Sequence, residues 1–400
     1  TLNDAGNNFG TVAITSAGVA TINDTNAVIL GASGVTTLNV TAAGNITNSG
    51  ALVVSGVTTV VAGANDVTLN DAGNNFGTVA ITSAGAVTLV DTGAIDLGAS
   101  NVTGTFTVTA GGNITNSGDL IFTTTSAAIT FINTAGTANI SLNSSGNAFS
   151  NGVTLRAGAG GGGTFGDITF VDSAGVDLAA AVGADGTLFI DAGTDGAVGG
   201  DFNLTATTGN ITQSIAAMGV GGTISLNTNG SGNATLDNGG MTIDLIASSI
   251  GGDLTLTSGA AAGITNTVGT VTVGGNLSTT TDALSGVINM LNLDVTGTIA
   301  LVTDTGGNAT VTNAQEVEFA TSNVTGALFA TATTGNIFQS GVLTVANTSS
   351  FTTTAANADI VLTQTNALGG AVSLNTNGAT GSASVTNGAT PLILGASSVG

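Results

Sequence analysis

The chain has no cysteine, histidine, tryptophan or tyrosine, and only one proline and one basic residue among 400. Each absence removes a class of chemistry. Without cysteine there is neither a disulfide framework nor a thiolate metal site. Without histidine a nucleophile–base triad and an imidazole metal centre are both missing. The single base, Arg156, stands against 23 acidic residues for a net charge of −22, so there is no electrostatic footprint for nucleic acid. An anionic membrane surface is disfavoured for the same reason. Long apolar runs are missing too. The stretch VINMLNLDV (Val287 to Val295) is broken by Asn289, Asn292 and Asp294 and is too short for membrane insertion. Charged residues make up 6%, against about 25% in ordinary soluble domains.

What is present is repetition. TLNDAGNNFGTVAITSAG runs from Thr1 to Gly18 and returns unchanged from Thr68 to Gly85, an offset of 67 residues. DTNAVILGASGV (Asp24 to Val35) answers DTGAIDLGASNV (Asp91 to Val102), and GNITNSG occurs at Gly44 to Gly50 and at Gly112 to Gly118. Self-similarity of this kind marks an array of stacked supersecondary units. Hydrophobic residues reach 42%, ample for a continuous core, and the low charge leaves Thr, Ser and Asn to solvate the surface.

The runs between the repeats' Gly, Asn and Asp are short and strand-like: TVAIT (Thr78 to Thr82), AVTLV (Ala86 to Val90), AIDL (Ala94 to Leu97), TFTVT (Thr105 to Thr109) and DLIF (Asp119 to Phe122). They alternate with period two, Val79 and Ile81 to one side and Thr78, Ala80 and Thr82 to the other. No helical period is sustained. The Gly-Asn and Asn-x-Gly punctuation is expected to supply left-handed corners.

Internal offsets set the coil length. TATTGNITQS (Thr205 to Ser214) recurs 126 residues on as TATTGNIFQS (Thr331 to Ser340), and SLNTNG (Ser225 to Gly230) recurs 148 residues on at Ser373 to Gly378. The difference is one unit of 22 residues, which makes 126 and 148 six and seven units and 67 close to three. The fold class expected is therefore all-β, a parallel β-helix or solenoid of about 18 rungs of roughly 21–22 residues, rising about 4.8 Å each to about 85 Å. It reads as one continuous array over residues 1–400. The 67-residue units occupy 1–67 and 68–135, an irregular Gly/Asp-rich insertion covers 156–201, and diverged repeats fill 202–400. Both ends read as cuts within such an array.

The unit NNFGTVAIT…LGAS…FTVTAGGNITNSGDLIF, carried by Asn74 to Thr82, Leu97 to Ser100 and Thr107 to Phe122, resembles the repeats of filamentous-haemagglutinin-like exoproteins, the large β-helical adhesins of bacterial surfaces. The resemblance implies a right-handed parallel β-helix, secretion across the outer membrane, an extracellular or cell-surface location, and adhesion or filament formation. The implied partners are a surface glycan or protein of a host or neighbouring cell, with end-to-end or lateral self-association.

Few side chains offer chemistry. Glu316 and Glu318, the only glutamates, stand at i and i+2 in AQEVEF, about 7 Å apart on one strand face and near the separation of glycosidase carboxylates. The blander reading puts Val317 and Phe319 in the core and both glutamates in water, and it is preferred. Asp185, Asp191, Asp195 and Asp201 are the calcium candidates, since Ca²⁺ takes six to eight oxygens from carboxylates and carbonyls. Their spacing fits neither an EF-hand nor the Gly-Gly-x-Gly-x-Asp nonapeptide, and Asx-turns account for them as well. The Thr-x-Thr pairs Thr105/Thr107/Thr109, Thr255/Thr257, Thr270/Thr272 and Thr310/Thr312 are too irregularly spaced for the ladder an ice-binding face needs. The reading is a non-enzymatic structural and adhesive segment, with no cofactor beyond that calcium. A carbohydrate-active β-helix enzyme and an ice- or calcium-binding solenoid are the alternatives.

Overall fold

The computed structural model describes residues 1–123, 127–135, 137–158, 160–179, 181, 187–192, 194–266 and 268–400. Among them there is no helix, and the strands pair in parallel, so the chain is a β-solenoid of about 18 turns. It falls into two compact units, Thr1–Thr207 and Thr208–Gly400.

In the first unit one column of strands fixes the coil. Val28 lies opposite Ile46, Ile46 opposite Val67, Val67 opposite Val87, Val87 opposite Phe106, Phe106 opposite Ile129 and Ile129 opposite Val153. The steps run from 18 to 24 residues, so the coil is not constant. Val153 is then opposite Leu188, a step of 35 across the Gly/Asp-rich stretch. All these side chains are buried, because period-two alternation turns every second residue inward and parallel pairing stacks like on like. On a second side, the long strands Ser33–Ala42, Leu52–Val61 and Asn75–Ser83 bend across two faces of the coil.

The 67-residue repeat is not three whole coils. Thr11 pairs with Ile29, Ile29 with Thr47 and Thr47 with Thr68, which completes three coils. Its repeat counterpart, Thr78, stands ten residues beyond Thr68 and pairs with Val57 and Asp96 in a different sheet. The second copy is thus about half a turn out of phase with the first. A solenoid tolerates this because both sides of the coil make the same demand on sequence, a buried β-branched or large apolar residue at every second place. In the second unit the expectation of whole coils holds. Asn227 of one SLNTNG reaches Asn375 of the other in seven steps, through Ser249, Thr272 and Asp294 and on past two slips of register.

Phenylalanines cluster in the core. In the first unit Phe106, Phe122, Phe131, Phe149 and Phe170 form a chain of stacked and edge-on rings with centroids 5.0–6.5 Å apart. Phe319 and Phe351 pair at 6.2 Å in the second.

The corners differ from expectation. Asn357 and Ser285 are the only non-glycine residues with positive φ among those described, so apart from Asn357 asparagine is not there for left-handed backbone. Nor are most glycines. A Cβ on Gly44 would stand 2.5 Å from Ala27 N, and one on Gly104 2.7 Å from Ala86 N. These glycines let one coil's backbone close on the previous coil, a steric need rather than a dihedral one.

Candidate functional site

The asparagines turn inward. Asn74, Asn147 and Asn366 are at most 2% exposed. Asn74 Oδ1 accepts Leu52 N–H (2.9 Å) and Asn48 Nδ2–H (2.8 Å). Asn147 Oδ1 accepts Leu120 N–H (3.0 Å) and Asn116 Nδ2–H (2.8 Å). Asn366 Oδ1 accepts Leu343 N–H (2.9 Å) and Gln339 Nε2–H (2.8 Å). Asn48, Asn116 and Gln339 hold the fifth place of GNITNSG, GNITNSG and GNIFQSG. The second place of each motif clamps as well: Asn45, Asn113 and Asn336 accept the backbone N–H of Asp66, Asn139 and Asp359 on the next coil. A serine works at a third corner. Ser33, Ser100 and Ser322 donate to the carbonyls of Gly31, Gly98 and Ala320 and accept the N–H of Ile14, Ile81 and Leu301 from the coil before. These side chains satisfy backbone N–H groups that burial would otherwise leave without a partner.

The motif therefore recurs with its bonding intact. Residues 17–83, 84–156 and 306–375, just over half the chain, match the model of one family, described as repeats of unknown function. The chain belongs to that family, DUF5649. Each DUF5649 match carries its serine clamp at the same place, sixteen residues after its first residue, and one buried asparagine clamp further on. The match does not name filamentous-haemagglutinin-like exoproteins. No curated protein and no solved structure matches the chain.

Acids serve the same architecture. Asp91, 3% exposed, accepts Phe76 N–H and Gly93 N–H, both at 2.6 Å, and Asp24 repeats this with Phe9 and Asn26. Burial pushes the Asp91 carboxyl above its ordinary value, and the two N–H groups pull against that. Asp359 is held below the usual carboxylate value by the Ser382 N–H and hydroxyl, at 2.7 and 2.8 Å.

Of the calcium candidates, Asp185 lies outside the described residues. Asp191 forms an ion pair with Arg156 at 2.5 Å, which gives its carboxylate a partner already. Asp195 is exposed in a turn, and Asp201 N–H donates to Asp167 Oδ1 (2.9 Å). Among the described residues no three acidic side chains gather closely enough to hold a metal ion. Val317 and Phe319 are fully buried, while Glu316 is exposed and Glu318 half-buried, as the preferred reading of AQEVEF has it.

The outer faces hold what the sequence did not disclose. Thr47, Thr68, Thr88, Thr107, Thr130 and Thr154 stand opposite one another on six successive coils, the first five half-buried and Thr154 buried, a threonine file hidden by its uneven steps. It is one residue wide: the positions two residues on are Ser49, Asn70, Val90, Thr109, Ile132 and Arg156. In the second unit Thr310, Phe329 and Ser350 form one file and Thr312, Thr331 and Thr352 the next. Beside Thr312 a bulge between Met290 and Leu293 turns Leu291 and Asn292 outward and opens a depression of about 230 Å³, reaching Thr270 and Thr333. No length of sequence pattern signals this depression, because a bulge is visible only against its neighbour strand.

Proposed function

We propose that the chain is a structural and adhesive segment, a non-enzymatic stalk of a secreted or cell-surface bacterial exoprotein that presents its outer faces to a glycan or protein on another cell. The clamps carry the reading. At successive corners a side chain spends its hydrogen-bonding capacity on the next coil's backbone, which stiffens the stack and leaves few groups for chemistry. A composition without His, Cys, Lys, Tyr or Trp supports the same view, since acid–base and nucleophilic work would fall to carboxylates alone. In this reading the stalk holds no resident cofactor, and self-association runs along its length or side by side.

Small-angle scattering of the full chain tests the stalk. An elongated particle with a constant cross-section is expected. A globule with a radius of gyration near about 21 Å, the value for a compact chain of this length, overturns it. Beads coated with the full chain test adhesion by their retention on cell layers.

A further inference from the structure

Of the 14 phenylalanines, Phe329 alone is exposed among the described residues, at 44%. It is not a misplaced core residue. Its strand neighbours Leu328 and Ala330 are buried, so alternation puts the ring squarely on the outer face. The side chains beside it in these two files are uncharged, on strands that pair in parallel. Thr310 and Ser350 flank the ring on the coils before and after, about 4.8 Å away along the axis, and Thr331 follows two places on with Thr312 and Thr352 beside it. The 230 Å³ depression begins at Thr312, where Leu291 adds a second apolar surface.

We propose that this face of the second unit binds an uncharged polysaccharide, one sugar ring lying on Phe329 and the neighbouring sugar reaching the depression beside Thr312. The proposal rests on the adhesive reading and gives that reading a place and a partner. Three features select the partner. An exposed aromatic ring offers its electron-rich face to the C–H face of a sugar, whose other groups need hydroxyl partners at its rim. Threonine and serine hydroxyls supply donors and acceptors in two files at strand spacing. The six face residues include no charged side chain, so a charged sugar would lose its hydration without a counter-charge. The chain's net charge of −22 repels polyanions besides.

Affinity electrophoresis of the full chain, in gels containing a neutral β-glucan, a neutral galactomannan or an anionic polygalacturonate, decides the matter. We expect at least one neutral polymer to retard the wild type and the polyanion not to. Phe329→Ala and Phe329→Leu should weaken retardation about tenfold or more, the second because it keeps apolar area and loses the ring, while Phe329→Tyr retains it. Thr331→Val, which removes a hydroxyl at constant shape, should weaken it less. Far-UV circular dichroism and melting serve as the folding check for this exposed site. Retardation by no neutral polymer, or retardation unchanged in Phe329→Ala, overturns the proposal. Adhesion of coated beads to cells together with no neutral-glycan binding overturns this assignment alone and leaves the adhesive reading standing.

Discussion

Asn366 is the clamp whose removal is most informative, because its side chain meets three successive coils. Its Oδ1 accepts Leu343 N–H and Gln339 Nε2–H, and its Nδ2 donates to Gln339 Oε1 (2.9 Å), Leu362 O (3.2 Å) and Thr386 O (3.0 Å). Asn366→Ala leaves the buried Leu343 N–H without a partner, worth about 1–3 kcal/mol. Gln339 keeps its bond to Gly341 O and Leu362 O keeps Thr386 N–H, so those losses are partial. A total of about 2–4 kcal/mol follows. Asn366→Asp should cost no less. It keeps one acceptor but turns a second oxygen towards three carbonyl oxygens, those of Gln339, Leu362 and Thr386, and buries a charge. Stacked coils need not unfold in one step, so a urea midpoint alone is not decisive. Amide exchange reads the opening free energy at Leu343 N–H directly. The exposed neighbour Thr363→Ala is the control, expected within about 0.5 kcal/mol of wild type. If Asn366→Ala changes exchange at Leu343 no more than Thr363→Ala does, the corner clamps do not hold the coils together.

Gly44→Ala should destabilise the first unit by about 1–3 kcal/mol, because its Cβ would meet Ala27 backbone, whereas Gly10→Ala, with open space around it, should be tolerated; thermal melts compare them. For Asp91 the raised carboxyl means that the folded chain holds the proton more tightly than the unfolded one. Its contribution is therefore fully present below the unfolded value of about 3.9 and is lost as pH rises through the folded value, so the stability of wild type relative to Asp91→Asn should fall as pH rises through that window. Asp359, whose carboxyl is lowered, contributes stability that is lost as pH falls, so wild type relative to Asp359→Asn should gain as pH rises; opening free energies from amide exchange in the coils around each site, compared between wild type and variant at each pH between about 3 and 7, check both signs, and equal slopes would refute them.

The sequence disclosed the fold through features that survive a change of register. Period-two alternation in TVAIT or TFTVT needs only local chemistry, and Val79, Ile81, Phe106 and Val108 are all buried as it requires. Coil length was legible where two copies lie a whole number of coils apart, as the two SLNTNG copies do. It was illegible from the 67-residue repeat, because identical sequence can occupy either side of a coil whose sides are chemically alike. The role of GNITNSG was hidden for another reason. Asparagine at a corner can turn the backbone or bridge to a neighbouring coil, and only the neighbour distinguishes them. The exposed ring of Phe329 could have been found, since LFATA places the aromatic out of step with Leu328, Ala330 and Ala332, but the pattern alone does not say which side is the core.

The half-turn phase of the repeat has a consequence for what the first unit can present. Ser33 with Val53 borders a surface groove of about 520 Å³, and their counterparts Ser100 with Ile121 border one of about 260 Å³. Were the repeat a whole number of coils, the two grooves would stack on one side. Instead Ser33 pairs with Leu52 in one sheet and Ser100 with Leu120 in another, and the grooves face different directions. A partner lying along one side therefore meets one copy, not both. Properties that run along a side follow the coil and ignore the repeat. The threonine file draws Thr47 from the first 67 residues and Thr68, Thr88, Thr107 and Thr130 from the second unit of sequence, at places that do not correspond between the copies. Selection on a face in this solenoid must act on residues one coil apart, whereas duplication copies residues about three and a half coils apart. Duplicating a 67-residue unit thus lengthens the stack without enlarging any one binding face.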